Sequence, residues 1–466
     1  MGKQFEFVKA YDEHVYSYLD EVEKNARINL DTCANNMRKA LESFVDFVAK
    51  ENGFSEDDLD KAYEAWRRES KFFSKNNDNK NLKSRLDGLT TAGVLKKLKI
   101  NQPSLIPCHK HKIALKQTNG KDNYWFVLDQ LRNFGNAGSH AEKEKEKSQT
   151  ALTFDNLVTC LKELHKILKL YFKVNAPSFD YNKMTIKNYE IETYDKNPSD
   201  KEQTKCTCEF FGHTKKGAAN MKTYVIIRQY NAKDIEEKLL SRNIDFRQLA
   251  TRRVRSGSIE GIIPYIQRVD EGTGEFALIA YEFAEKPLKL KNLIKSLSIE
   301  ERCRLCCDIA ACFKGIHTNN PPLYHRVLTY ESIYVCNYGT KDEPDWLPYL
   351  KFDFGKITGN LNSVDLTVIE YAKDAVERLE LQSLKKYIHE SAFKRADWER
   401  VDIYALYVLF GDIMLGEILN TTADYGELLD MDYPTEFLDV WDKMSADDSP
   451  SLEEIYPELL AALGDK

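Results

Sequence analysis

Apolar residues between Asn29 and Lys50 fall at Leu30, Cys33, Met37, Leu41, Phe44 and Val48, steps of three and four that lay one stripe along one face of a helix. A second helix is predicted through Phe154, Leu157, Leu161, Leu164, Leu168 and Tyr171, with Asp155 at the positive end of its dipole. Between them, the Lys-, Asn- and Asp-rich stretch 71–83 and the Glu/Lys alternation of 141–149 read as solvated boundaries. The expectation is an all-α domain over 1–175. Residues 176–205, with Pro177, Asn, Asp and Lys and little periodicity, are expected to be a linker.

Beyond it the pattern changes to short β-branched and aromatic runs, Tyr224–Ile227 and Phe276–Phe283, which predict an antiparallel sheet. From Ser298 helical periodicity returns, with one short strand expected at 349–352. Residues 206–466 therefore read as an α+β domain with a small sheet lobe followed by a larger helical lobe.

Composition narrows the picture only slightly. At 466 residues, 42% apolar and 30% charged, the chain has material for two or three folded domains. A net charge of −7 gives no global attraction to nucleic acid or anionic membrane, so such binding would need a local patch. Ten cysteines with no apolar N-terminal signal segment suggest reduced thiols and a cytoplasmic location. No run is long and apolar enough to span a bilayer. Met1-Gly2 invites a myristoylation reading, which Glu6 at the sixth position rejects.

Ordered landmarks in the second half carry chemistry. Tyr324-His325-Arg326-Val327-Leu328-Thr329-Tyr330-Glu331-Ser332 resembles a protein-kinase catalytic loop, and Asp353-Phe354-Gly355 resembles the magnesium-binding motif that follows it. The stretch from Asn337 to Trp346 reads as an enlarged hairpin between them. Val401-Asp402-Ile403-Tyr404 is similar to the kinase helix whose buried Asp braces that loop, and 298–317 is similar to the long helix before it. The resemblance implies a two-lobed kinase-like fold for 206–466.

It also implies missing chemistry. A kinase orients the substrate hydroxyl with an Asp where this chain has Val327, and holds a second magnesium with an Asn where it has Ser332. Valine can accept no proton, and a hydroxyl is a weak ligand for a hard cation. Arg228 stands at the position of the phosphate-gripping Lys, and no carboxylate lies at 249–251, where its partner is expected, although Glu236 or Glu237 could serve in a shifted alignment. Gly212 and Gly217 do not match the spacing of a phosphate-cradling loop, and 387–391 stands where the family shows Ala-Pro-Glu. Asp353 is the retained candidate for metal. A pseudokinase is expected, with ATP or another nucleotide and Mg as candidate cofactors at Arg228, Ser332 and Asp353.

In the first half, Leu128-Asp129-Gln130-Leu131-Arg132-Asn133-Phe134-Gly135-Asn136-Ala137-Gly138-Ser139-His140 resembles the signature of HEPN-related helical domains that accompany bacterial restriction and abortive-infection proteins. That resemblance implies a metal-independent endoribonuclease acting as a homodimer. Arg132 would hold the scissile phosphate, His140 would be the general acid or base, and Asn133 a polar helper. Seven residues separate Arg132 from His140, more than the family usually places there. On an unbroken helix those two side chains would stand roughly 80° apart, so Gly135 and Gly138 would have to break it. In the other reading, Asn136 and His140 only hold a helix junction.

Together the resemblances imply a pseudokinase that senses a ligand or protein partner and controls an RNA-cleaving or RNA-binding HEPN-like domain in bacterial antiviral or stress defence. The alternatives are an interaction protein built of two binding modules and a kinase with unorthodox catalytic residues. Cys303, Cys306 and Cys307 share a predicted helix face and read as core, while Cys206/Cys208 and Cys108/His109/His111 lack the spacing of a zinc module. Arg252, Arg253 and Arg255 form a small basic group, read as solvated.

Overall fold

The computed structural model describes residues 3–51, 53, 55, 57, 153–198, 206–216, 221–232, 264–269, 275–318, 322, 324–326, 328–351, 386–419 and 425–464. The chain divides into two compact units, Met1–Tyr194 with Val269–Phe276, and Asp195–Arg268 with Ala277–Lys466.

The first unit is helical at its N-terminus. Helix α1 (Glu13–Asn25) starts where Asp12 Oδ1 accepts the Val15 N–H at 2.9 Å, satisfying one of the donors that a helix start leaves open. Helix α2 (Leu30–Glu51) and helix α3 (Phe154–Phe172) match the two expected spans. Their stripes are the core: Cys33, Met37, Leu41, Phe44 and Val48 of α2 and Leu157, Leu161, Leu164 and Leu168 of α3 are at most 1% exposed, beside Val15, Leu19 and Val22 of α1. Burying such a side chain is worth roughly 1.5–3 kcal/mol.

The expected linker is more ordered than its composition suggests. Arg27, buried just after α1, donates from Nη2 to the Tyr181 carbonyl at 3.0 Å and lies over the Phe154 and Tyr181 rings. Met184 is fully buried in the first unit's core, and strand β1 (Glu190–Asp195) follows. Tertiary contacts supply the order that local periodicity did not announce. The division between units falls after Tyr194, inside the expected linker.

The second unit mixes antiparallel sheets with helices. Strands β2 (Cys208–Lys216), β3 (Met221–Asn231), β4 (Tyr265–Arg268) and β5 (Phe276–Phe283) stand in the order β2-β3-β5-β4. The β2/β3 register sets Glu209 opposite Arg228. A second sheet contains β6 (Leu288–Lys289), β7 (Ile333–Asn337) and β8 (Trp346–Leu350), with β7 in the middle. The expected strand at 349–352 thus begins earlier, at Trp346, because pairing with β7 runs from Ile333↔Leu350 to Asn337↔Trp346. Pro348 is tolerated because β8 is an edge strand. The β7/β8 turn is closed by Asn337, whose Oδ1 accepts the N–H groups of Gly339 and Asp345, each at 2.9 Å.

Helix α4 (Leu290–Leu293) is one turn, and helix α5 (Ile299–His317) opens with a capping box between Ser298 and Glu301. Helices α6 (Glu390–Arg395), α7 (Trp398–Leu415), α8 (Thr435–Lys443) and α9 (Leu452–Leu463) follow among the described residues. Cys303, Cys306, Cys307 and Cys312 lie in its apolar core with Leu406, Leu409 and Phe410. Burial pushes the Cys303 and Cys307 thiols up to about 12, so they behave as apolar groups. Among the described residues, no helix is long and apolar enough to cross a membrane.

Candidate functional site

Two constellations in the second unit fix polar groups in its interior. The first is built on Asp402 of α7, which is fully buried. Its Oδ2 accepts the His325 N–H and its Oδ1 the Arg326 N–H, both at 2.7 Å, and His317 Nε2, at the end of α5, lies 3.0 Å from Oδ2. One carboxylate therefore ties two consecutive amides of the 324–332 segment to two helices. Charge-assisted bonds of this kind are among the stronger ones. The loop needs such holding, because Arg326 sits in the left-handed region at φ 72° without being glycine. The Arg326 guanidinium packs over the Trp398 ring, 4.8 Å from its centroid. His325 Nε2 donates to the Lys351 carbonyl at 2.9 Å, joining the segment to the end of β8.

Ser332 closes the same segment. Its hydroxyl accepts the Thr329 N–H at 3.3 Å in a reciprocal cap, and its carbonyl accepts the Lys351 N–H at 2.8 Å. The side chain is 3% exposed, so its visible work is local bonding.

The second constellation surrounds Glu209 of β2. Arg228 donates from Nη1 to Glu209 Oε2 at 2.7 Å and from Nε to the Tyr230 hydroxyl at 3.1 Å. Lys289 of β6 meets Glu209 Oε1 at 2.9 Å, and the Tyr334 hydroxyl of β7 donates to Oε2 at 3.1 Å. Lys351 Nζ lies 5.0 Å from the Tyr334 ring centroid. Arg228 and Lys351 are fully buried. Burial alone would raise the Glu209 carboxyl, yet Arg228, Lys351 and Lys289 outweigh it and hold it down at about 2. Lys289 is raised in turn: burial works against its charge, but Glu209 prevails. Nearby, Lys291 pairs with Glu331 at 3.4 Å.

The expected site residues divide unevenly over these constellations. Arg228 and Ser332 are both buried, but they belong to different ones. Among the described residues Arg228 finds a carboxylate on β2, that of Glu209, while positions 236, 237 and 249–251 lie outside the described residues. Gly212 is a buried mid-strand residue of β2 opposite Val225. Tyr387, in the segment read as the end of an activation loop, is buried and donates its hydroxyl to Asp412 Oδ2 at 2.9 Å. Arg132, Asn133, His140, Val327, Asp353, Gly217 and the 252–255 arginines lie outside the described residues.

No protein-family model matches this chain, and no curated relative matches it. Its chemistry therefore has to be argued from its own residues. Among the described residues no group of three or more His, Cys, Asp or Glu is placed to hold a metal ion.

Sequence reading missed Glu209, Lys289, Tyr334, Lys351 and His317. The one signal for Glu209 was a charged residue inside an otherwise apolar strand, Cys208-Glu209-Phe210-Phe211. Buried charges need partners, so a partner was implied. Which partner depends on strand register, and register is tertiary information.

Proposed function

We propose that the second unit is a two-lobed, protein-kinase-like domain without phosphoryl transfer, and that it regulates a HEPN-like helical domain that cleaves or binds RNA. The observation that carries the kinase-like part is Asp402 holding the amides of His325 and Arg326. A carboxylate from a later helix bracing this loop is what the resemblance demands, and neighbouring sequence cannot produce it by chance periodicity. Val327 and Ser332 argue against the usual transfer chemistry, since neither can orient a substrate hydroxyl and hold a second magnesium. Asp353 retains the carboxylate that a magnesium-bound nucleotide would need.

On this reading Arg132 stabilises charge on a scissile phosphate and His140 moves the proton of an attacking 2′-hydroxyl, with Asn133 assisting. Two copies build the site, and the kinase-like unit, responding to a protein partner or ligand, sets how often they meet. The setting is bacterial antiviral or stress defence.

The test is incubation of the full chain with structured RNA, without added metal, at several protein concentrations, beside His140→Ala. Cleavage that rises steeply with concentration and disappears in the variant is expected. Metal-independent cleavage equal in the variant, or RNA left intact at every concentration, would remove the ribonuclease reading.

A further inference from the structure

We infer that Glu209 is an internal substitute for nucleotide: it bolts the two sheets of the second unit together across the face a kinase reserves for ATP, so the unit stays closed with no ligand. The inference rests on the kinase-like part of the proposed function and on none of its RNA chemistry.

Four observations converge on it. Glu209 reaches from β2 of one sheet to Lys289 on β6 and Tyr334 on β7 of the other, while the same carboxylate binds Arg228 on β3. One side chain thus joins four strands. All of these groups except Lys289 are nearly or fully buried, where an ion pair is weakly screened. Phe283, the last residue of β5, packs edge-on against both Tyr334 and Tyr349 at 5.6 and 5.2 Å, extending the seam with apolar contact. Finally, Arg228 at the phosphate-gripping position directs Nη1 to Glu209 and Nε to Tyr230. To grip a phosphate with those atoms it would have to give up its bond to a buried carboxylate, leaving that group to Lys289 and the Tyr334 hydroxyl.

Giving up that bond is unfavourable, because removing one partner of a buried ion pair leaves the remaining charge less well compensated. A nucleotide would have to overcome that before gaining any contact. A kinase lobe pair closes when ATP and Mg bridge it; here the bridging anion is covalently part of β2.

The test is hydrogen–deuterium exchange and thermal unfolding of the full chain, with and without Mg-ATP, for wild type, Glu209→Gln and Tyr334→Phe. In Glu209→Gln the amides of β2 and of β6–β7 are expected to lose protection together, by ~tenfold or more, while α2 and the core of α7 keep theirs. Tyr334→Phe keeps the ring and removes one bond to Glu209. It is expected to fold normally and to loosen the same two strand sets by a few fold. Mg-ATP is expected to change neither exchange nor midpoint in wild type.

Protection of β3 and β7 gained on adding Mg-ATP to wild type would overturn the inference by showing that nucleotide displaces the internal anion. So would β6–β7 protection unchanged in Tyr334→Phe, whatever the global stability of Glu209→Gln. RNA cleavage enters none of these readouts, so failure of the ribonuclease reading leaves the result standing.

Discussion

Asp402 Oδ2 accepts the backbone N–H of His325 at 2.7 Å, from a position 77 residues later in the chain. With the Arg326 amide on Oδ1, one carboxylate anchors two adjacent buried donors. Their conformation is otherwise unfavourable, since Arg326 adopts φ 72°. Asp402→Ala is expected to cost about 3–5 kcal/mol, the range for stranding buried partners of a charge. Asp402→Asn, which keeps one acceptor, should cost less. Urea denaturation of the two variants checks the order, and equal stability of Ala and wild type would refute the brace.

Glu209 makes the second unit sensitive to acid. Its folded carboxyl titrates at about 2, below the ordinary Glu value near 4.3, so its contribution is fully present above the unfolded value and is lost as pH falls through about 2. The linked loss is on the order of 3 kcal/mol. Stability measured by denaturation from pH 5 downward should therefore fall in wild type and be flatter in Glu209→Gln. Parallel profiles would count against the cluster.

On the proposed kinase-like reading, Arg228→Lys places at this position the residue type that a kinase uses there. A lysine ammonium cannot reproduce the fork that serves Glu209 and Tyr230 at once, so a loss of about 1–3 kcal/mol is expected. No phosphoryl transfer is expected to appear, because Val327 still offers no base. Denaturation together with a phosphate-transfer assay checks both halves. Activity in the variant would show that Arg228 alone had silenced the site.

The first unit carries a pH response near neutrality. His165 is buried beside Phe5 and Phe7; burial first, and Lys169 second, lower its pKa to about 4, against the bond to the Gln4 carbonyl. The folded form keeps the ring neutral. Stability is therefore complete above the ordinary histidine value near 6.5 and declines as pH falls from there toward about 4. Thermal unfolding of the helical unit between pH 7 and 4.5 should show this decline, with His165→Gln removing most of it.

Much of the architecture was legible in the chain. Helices α2 and α3 were readable because a one-sided apolar stripe at three- and four-residue steps has few other ways to be buried. Strand β5 was readable as a β-branched and aromatic run, and the Asp402 contact followed from the ordered landmarks around it. Less was legible where local pattern is weak. The 176–205 stretch gains its order from Arg27 and the first unit's core. The start of β8 was hidden because its extent is set by β7.

Sequence by itself determined which residues want burial and where the elements with the clearest pattern form, among them α2, α3 and β5, because these depend on residue type and on neighbours a few positions away. Only the tertiary structure decided that Glu209 meets Arg228, Lys289 and Tyr334, and that Ser332 closes its own turn. Those pairings depend on strand register and sheet packing over separations of 19, 80 and 125 residues. A buried charge must find an opposite one, but only the fold chooses which.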